Sequence, residues 1–306
     1  MAYILCGGTN ATVTIDGVEV EEDMNLVSGG AIDNIEVGTL PYPFNYSSAV
    51  VKDNDIHILG SGSSGYYTSH YKYNGTSWAS VSTLPYNFFR GEAVVLNGEI
   101  HIFGGNSVDD AQRYHYKYNG TSWTSVSTLP YFFYSGSAVV KDNEIHILGS
   151  NQGTHYKKHY KYNGTSWTNV STLPYDFFRG GAVVYNNEIH ILGSAYGTNT
   201  YQQHYKFNGS SWSYVSALPM YFYEGGAVVK DNEIHILGSG YNSLYGTYHY
   251  KYNGTSWTSV STLLYKFNLG AAVVYNKTIH LLGCNISPYT QHYAMQKPIY
   301  VKGGAA

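Results

Sequence analysis

Charge is scarce in this chain. Asp, Glu, Lys and Arg make up 12% of its 306 residues and the formal net charge is −3, which leaves no basic stripe to neutralise nucleic acid or an anionic membrane surface. Apolar runs are short, and none approaches the roughly 20 residues that span a bilayer. Cys6 and Cys284 are the only cysteines, too few for the disulfide frameworks of small secreted domains. The opening MAYILCGG has no basic flank and a five-residue apolar run, so a secretory signal is not expected. No GxSxG, phosphate loop or HExxH occurs, and neither cysteine has an evident base partner; the familiar hydrolase, nucleotide and zinc-protease chemistries therefore lack their residues. Helical apolar periodicity is missing from every window.

What the chain does have is aromatic, small and periodic. It carries 34 tyrosines and 34 glycines, and 43% of its residues are hydrophobic, enough for a substantial core. AVVKDNDIHILG begins at Ala49, and matching segments begin at Ala93, Ala138, Ala182, Ala227 and Ala272, at spacings of 44, 45, 44, 45 and 45 residues. HYKYNGTSW starts at His70 and recurs verbatim at His115, His159 and His249, with HYKFNGSSW at His204. Units this short cannot bury their own apolar face, so a stacked or circular repeat is expected.

Within a unit, AVV and IHIL are β-branched runs, and HYKY and SWTSV follow, which makes four strands. Asn-Gly between the last two predicts a type I′ hairpin turn, and KDNE or YNNE marks the other tight turn. Four antiparallel strands repeated six times predict an all-β fold, a six-bladed β-propeller. The units resemble the kelch family over roughly residues 31 to 301. In the second unit the matching features are IHIFGG from Ile100 to Gly105, Tyr118, and Trp123. The double glycine is kept only there, being Gly-Ser in four units and Gly-Cys at Gly283, and the five-residue gap from Tyr to Trp is shorter than the kelch pattern. The sixth unit ends in HYAMQKPIY without a Trp strand, while NIEVGTLPY from Asn34 has no blade before it. Ile32 to Thr39 is therefore expected to close the last blade, which removes a free edge. Residues 31–306 form the propeller in this division, and residues 1–30 a separate attachment or oligomerisation segment. Its TVTIDGVEV reads as a hairpin turning at Asp16 and Gly17.

Several patterns are decoys. GSGSSG from Gly60 fits GxGxxG, but a strand follows it where a dinucleotide site needs a helix. Twelve of the 13 histidines fall into two rings of six. Copies on successive blades stand too far apart for a metal whose nitrogens lie at about 2.1 Å, so packing or hydrogen bonding between strands is expected. His155 and His159 would be roughly 13 Å apart on a strand and cannot share an ion. The NGT and NGS sequons are explained by turn geometry. No metal and no cofactor is expected.

By strand alternation, the constant KDNE and NGTS turns lie on one face of the disc and both variable loop sets on the other. The loops after the Gly are rich in Tyr, Ser, Gly and Asn, the palette of antibody paratopes. Candidate ligand-binding residues there are Tyr66, Tyr67, Asp110, Arg113, Tyr156, Tyr196, Tyr201, Tyr241, Tyr245 and Tyr248. After Leu-Pro, a Phe recurs at positions 44, 88, 133, 177, 222 and 267, and two residues later the chemistry differs in every unit but two: Tyr46, Arg90, Ser135, Arg179, Glu224 and Leu269. In kelch proteins this position often lines the mouth of the central channel. Arg90 and Arg179 would there hold a carboxylate or acidic sugar, or pair with Glu92 or Glu224.

The expected function is non-catalytic recognition of a glycan or protein receptor, with no nucleic-acid or membrane partner. In style the chain resembles receptor-binding or decoration proteins of bacteriophage tails and capsids. That resemblance implies assembly with other virion proteins through residues 1–30 and a place on the virion; otherwise the chain would be cytoplasmic. Two alternatives stand beside it: a sugar-converting enzyme of the sialic-acid mutarotase type, itself a six-bladed kelch fold, and a structural kelch adaptor.

Overall fold

The computed structural model describes residues 14–15, 18–19, 26–28, 33–106, 109–194, 201–240, 245–285, 287, 289–296 and 299–301. Six four-stranded antiparallel sheets succeed one another along the chain, with an inner strand, two middle strands and an outer strand in each. The first blade runs Ser48–Lys52, Asp55–Leu59, His70–Tyr73 and Trp78–Ser80. Each inner strand touches the inner strands of the blades beside it, and the last touches the first, so the sheets close into a ring. The closing strand is Asp33–Thr39, paired antiparallel to Gln291–Gln296. One terminus thus completes the blade built by the other.

Thr14–Ile15 pairs with Val18–Glu19, the expected hairpin. Leu26–Ser28 pairs with Ile299–Val301, so the N-terminal segment meets the chain's other end outside the blades. Among the described residues no helix is long and apolar enough to cross a membrane.

The two tight turns exchange the roles expected for them. Both central residues have positive φ in the turn between the first two strands, as at Asp53 (50°) and Asn54 (60°) or Asp142 (51°) and Asn143 (60°). Those are the type I′ hairpins. The Asn-Gly turn instead spans four residues. Asn74 Oδ1 accepts from the backbone N–H groups of Thr76 and Ser77 at 2.9 Å, and only the glycine is left-handed, Gly75 at 100°. The longer loop lets the side chain do what a second left-handed residue does in a two-residue turn.

The core lies between blades. Val50 and Leu59 of the first blade share a cluster with Leu84, Tyr86, Phe88, Ile100 and Ile102 of the second, and each neighbouring pair repeats the pattern. The recurrent Phe is fully buried in all six copies, worth roughly 1.5–3 kcal/mol apiece. The glycine ending each second strand is obligatory. At Gly149 φ is 63° and an added Cβ would lie 1.9 Å from the Phe177 carbonyl oxygen; the other five copies are equally crowded, within 2.2 Å.

A histidine pair stands in each blade, and in most it continues as a hydrogen-bonded chain into the next. The two histidines of a blade face each other, as His146 Nδ1 and His159 Nε2 do at 2.8 Å, and this pair forms in all six blades. His159 Nδ1 meets Ser171 Oγ at 2.8 Å, and Trp212 of the next blade donates Nε1–H to the same oxygen at 3.0 Å. Burial holds every histidine of the second strand near a pKa of 4 and every one of the third near 3. The imidazoles are neutral at pH 7. The Trp–Ser–His–His chain is complete in the first four blades. It breaks at the closing strand, where register places Asn34 at the Trp position and Gly38 at the Ser position. Trp78 Nε1 and His292 Nδ1 have no partner there.

Candidate functional site

Both variable loop sets lie on one face, as strand alternation requires. Tyr46, Arg90, Ser135, Arg179, Glu224 and Leu269 converge at the channel mouth and line one cup of about 110 Å³. All six have positive φ, between 54° and 58°. This conformation is unfavourable for residues with a side chain, and its reason is visible in the backbone. Arg90 N–H donates to the Tyr46 carbonyl, Ser135 to Arg90, Arg179 to Ser135, Glu224 to Arg179, Leu269 to Glu224 and Tyr46 to Leu269, at 2.5–2.7 Å. Six bonds, one per blade, close a hoop around the axis. Because the backbone makes the hoop, the side chains are free to differ.

Glu224 holds both arginines. Its Oε1 lies 2.8 Å from Arg179 Nη1 and 3.9 Å from Arg90 Nη1. The expected pairing of the arginines with Glu224 is formed. Arg90 also lies over the Tyr46 ring, 4.1 Å from its centroid, a cation–π contact. Burial raises the Glu224 pKa against the pull of the two guanidiniums, and burial with the charge of Arg179 lowers that of Arg90.

Glu92 does not pair with an arginine. It lines the floor of the cup and the top of a second, polar space of about 200 Å³ walled by the inner strands. Ser48 Oγ donates to its carboxylate at 3.3 Å. Protein surrounding the carboxyl raises its pKa to about 8, although the residue as a whole is only half-buried. The corresponding residues in the other blades are Ser48, Ser137, Gly181, Gly226 and Ala271, so this proton-labile group is a property of one blade.

Loop tyrosines are braced rather than loose. Tyr66 stacks on Tyr42, with centroids 5.3 Å apart. Tyr67 packs on Phe89, Tyr156 on Phe178 and Tyr201 on Tyr223, at 5.5, 5.7 and 5.5 Å. Tyr248 is not a loop residue: it opens the third strand of the fifth blade, Tyr248–Tyr252, because the preceding turn Tyr245–Thr247 is 3₁₀-helical and shortens the loop. Tyr196 and Tyr241 lie outside the described residues, and only the backbone of Tyr245 is described.

Asp110 and Arg113 belong to a different part of the face. Together with Gln112, Asp110 lines a groove between the second and third blades, facing Phe132, Gln152, Gly153 and His155, with a volume of about 400 Å³. Arg113 borders it, with its guanidinium 6.0 Å from the Phe132 centroid. Phe132, Gln112 and Gln152 are not among the residues the sequence marks as candidates, and His155 is marked there only as a metal ligand to be dismissed. The available signal was the residue before each core Phe, which is Pro43, Asn87, Phe132, Asp176, Tyr221 and Lys266.

No protein-family model and no curated protein matches this chain. The solved structure of YjhT does, with a TM-score of 0.70 at 14% identity, covering 87% of this chain and 99% of its own. The protein is a six-bladed β-propeller. At this identity the likeness carries the fold, in keeping with the kelch-like repeat, and leaves the chemistry of the face to its own residues.

Proposed function

We propose that this propeller is a non-catalytic recognition module that binds a glycan or protein surface on its variable face. The observation carrying this reading is a contrast of sizes. The groove beside Phe132, at about 400 Å³, lies within the usual range for ligand sites of roughly 300–1,000 Å³, whereas the central cup holds about 110 Å³. Ring contacts that brace the loops reduce the ordering cost of binding. Glycan-array and pull-down measurements test this together: a ligand captured by either supports recognition, and two blanks overturn it. In the virion setting suggested by the loop style, residues 1–30 are the attachment piece, and a truncated chain that still incorporates into particles would refute that role.

A second reading, conversion of a small sugar at the cup, has one observation in its favour. Glu92 titrates near 8 at the cup floor, which suits a group that exchanges protons at neutral pH. NMR anomerisation of sialic acid separates the readings, since a binder gives no rate above buffer.

A further inference from the structure

We infer that the groove between the second and third blades is a saccharide subsite that stacks one neutral pyranose ring on Phe132. This deepens the recognition reading and rests on it. Phe132 is 41% exposed, although the residue next to it, Phe133, is one of the fully buried core phenylalanines. The groove lies at one of the two blades where the repeat replaces a tyrosine. The backbone carbonyls of Tyr67, Tyr156 and Tyr201 accept from the N–H of the next core Phe, and their rings lie on the loop beyond. In the second blade Gln112 occupies that position, and in the fifth Gly246 does. The Gln112 side chain turns back, Nε2 donating to the Asn106 carbonyl at 3.1 Å, and no tyrosine ring fills the space.

The polar rim suits hydroxyl groups. Asp110 accepts, Gln152 both donates and accepts, and His155 presents a neutral ring, its pKa lowered by burial and by Lys158. His155 Nδ1 is buried without a partner. The imidazole also stands against Tyr131 and Phe132, with centroids 5.4 and 6.3 Å away, so the orphan nitrogen belongs to the wall of the groove. An aromatic face carries partial negative charge and attracts the C–H face of a pyranose, while the planar carboxylate and carboxamide pair with its hydroxyls. The carboxylate of Asp110 disfavours acidic sugars. Arg113 keeps its charge but stands outside the groove's lining, with its Nε held by the Leu129 carbonyl at 2.9 Å. Apolar contact is limited to one ring, which fits a sugar better than an apolar peptide side chain.

The test is an array of neutral and sialylated glycans probed with the full chain, Phe132→Ala, Asp110→Asn and Tyr214→Ala. Tyr214 is another exposed aromatic, on an outer strand, and controls for general stickiness. Capture of neutral glycans by the wild type and by Tyr214→Ala, with a loss of about tenfold in Phe132→Ala and a smaller loss in Asp110→Asn, supports the subsite. Unchanged melting temperatures exclude misfolding of these surface variants. Neutral-glycan binding that Phe132→Ala retains within twofold overturns the subsite and leaves recognition standing, as does capture of sialylated glycans alone. A blank array with one protein recovered by pull-down overturns it too, and blanks in both overturn recognition as well.

Discussion

The walls between blades and the mouth of the channel both bury ionisable side chains, and they treat charge in opposite ways. In the walls, twelve histidines are pushed down to a pKa of about 3 or 4 and share their hydrogens as neutral rings. At the mouth, two arginines and Glu224 stay paired as ions, and Glu92 is pushed up to about 8. Repetition explains the difference. A charge copied six times in adjoining walls would repel its copies, so the walls use a group that is neutral when buried. Single substitutions at the hoop can be matched by other single substitutions, and one carboxylate between two guanidiniums is such a match.

Acid should separate the two regions most strongly. The unfolded chain takes up protons as pH falls through the ordinary histidine value of 6.5, whereas the folded walls resist until about 4 and 3. Wall stability is therefore complete above pH 6.5 and is lost progressively down to about 3. A pH series of denaturant melts should show a steep decline with net proton uptake on unfolding, and a flat profile from pH 7 to 4 would refute the neutral walls. At the mouth, Glu224→Gln leaves two guanidiniums facing each other without an anion. We expect a loss of about 2 kcal/mol in urea unfolding, shrinking in high salt. An unchanged midpoint would show that the ion pair contributes nothing.

Glu92 gives the opposite pH dependence. Its folded pKa of about 8 exceeds the ordinary 4.5, so the unfolded chain loses this proton first, and stability falls as pH rises between those values. Glu92→Gln should match the wild type near pH 5 and exceed it by roughly 1–2 kcal/mol above pH 8; equal stability throughout would place the carboxyl in water. The smallest effect compares two tryptophans. Trp167→Phe loses the bond to Ser127 (3.0 Å) while Trp78→Phe loses none, and their rings pack alike on His115 and His292, at 5.6 and 5.5 Å. The first should cost about 1 kcal/mol more than the second by thermal melting, and equal costs would remove the serine from the wall's energetics.

Blade number, strand order and closure by the N-terminal strand were legible, because each follows from period or alternation, and convergence of the residues two places after each core Phe was implied by the resemblance to kelch proteins. Which turn is type I′ was misjudged: Asn-Gly is the stronger local signal, but loop length decides turn type, and the NGTS loop is too long for two residues. The histidine pairs were legible as interstrand partners, whereas their extension through Ser and Trp depends on contacts between blades about 41 residues apart. The groove was least legible. It lies where Gln112 stands in place of a tyrosine, and an absent ring is a weaker sequence mark than a present one. Tyr248 was counted as a loop residue for a related reason, since a short 3₁₀ turn has no strong sequence mark.

Near-identical copies in tandem are prone to gain or lose a unit whenever one copy recombines with its neighbour. The hoop at the channel mouth gives such an event an immediate physical penalty. Each blade contributes one donor and one acceptor to a circuit with no loose ends, and the left-handed backbone that aims them is set for a turn of one-sixth. A chain with five or seven copies must bend every link to a new angle or leave one open. Blade count is thus policed at the axis by backbone alone, while the side chains the hoop carries remain free to change one blade at a time.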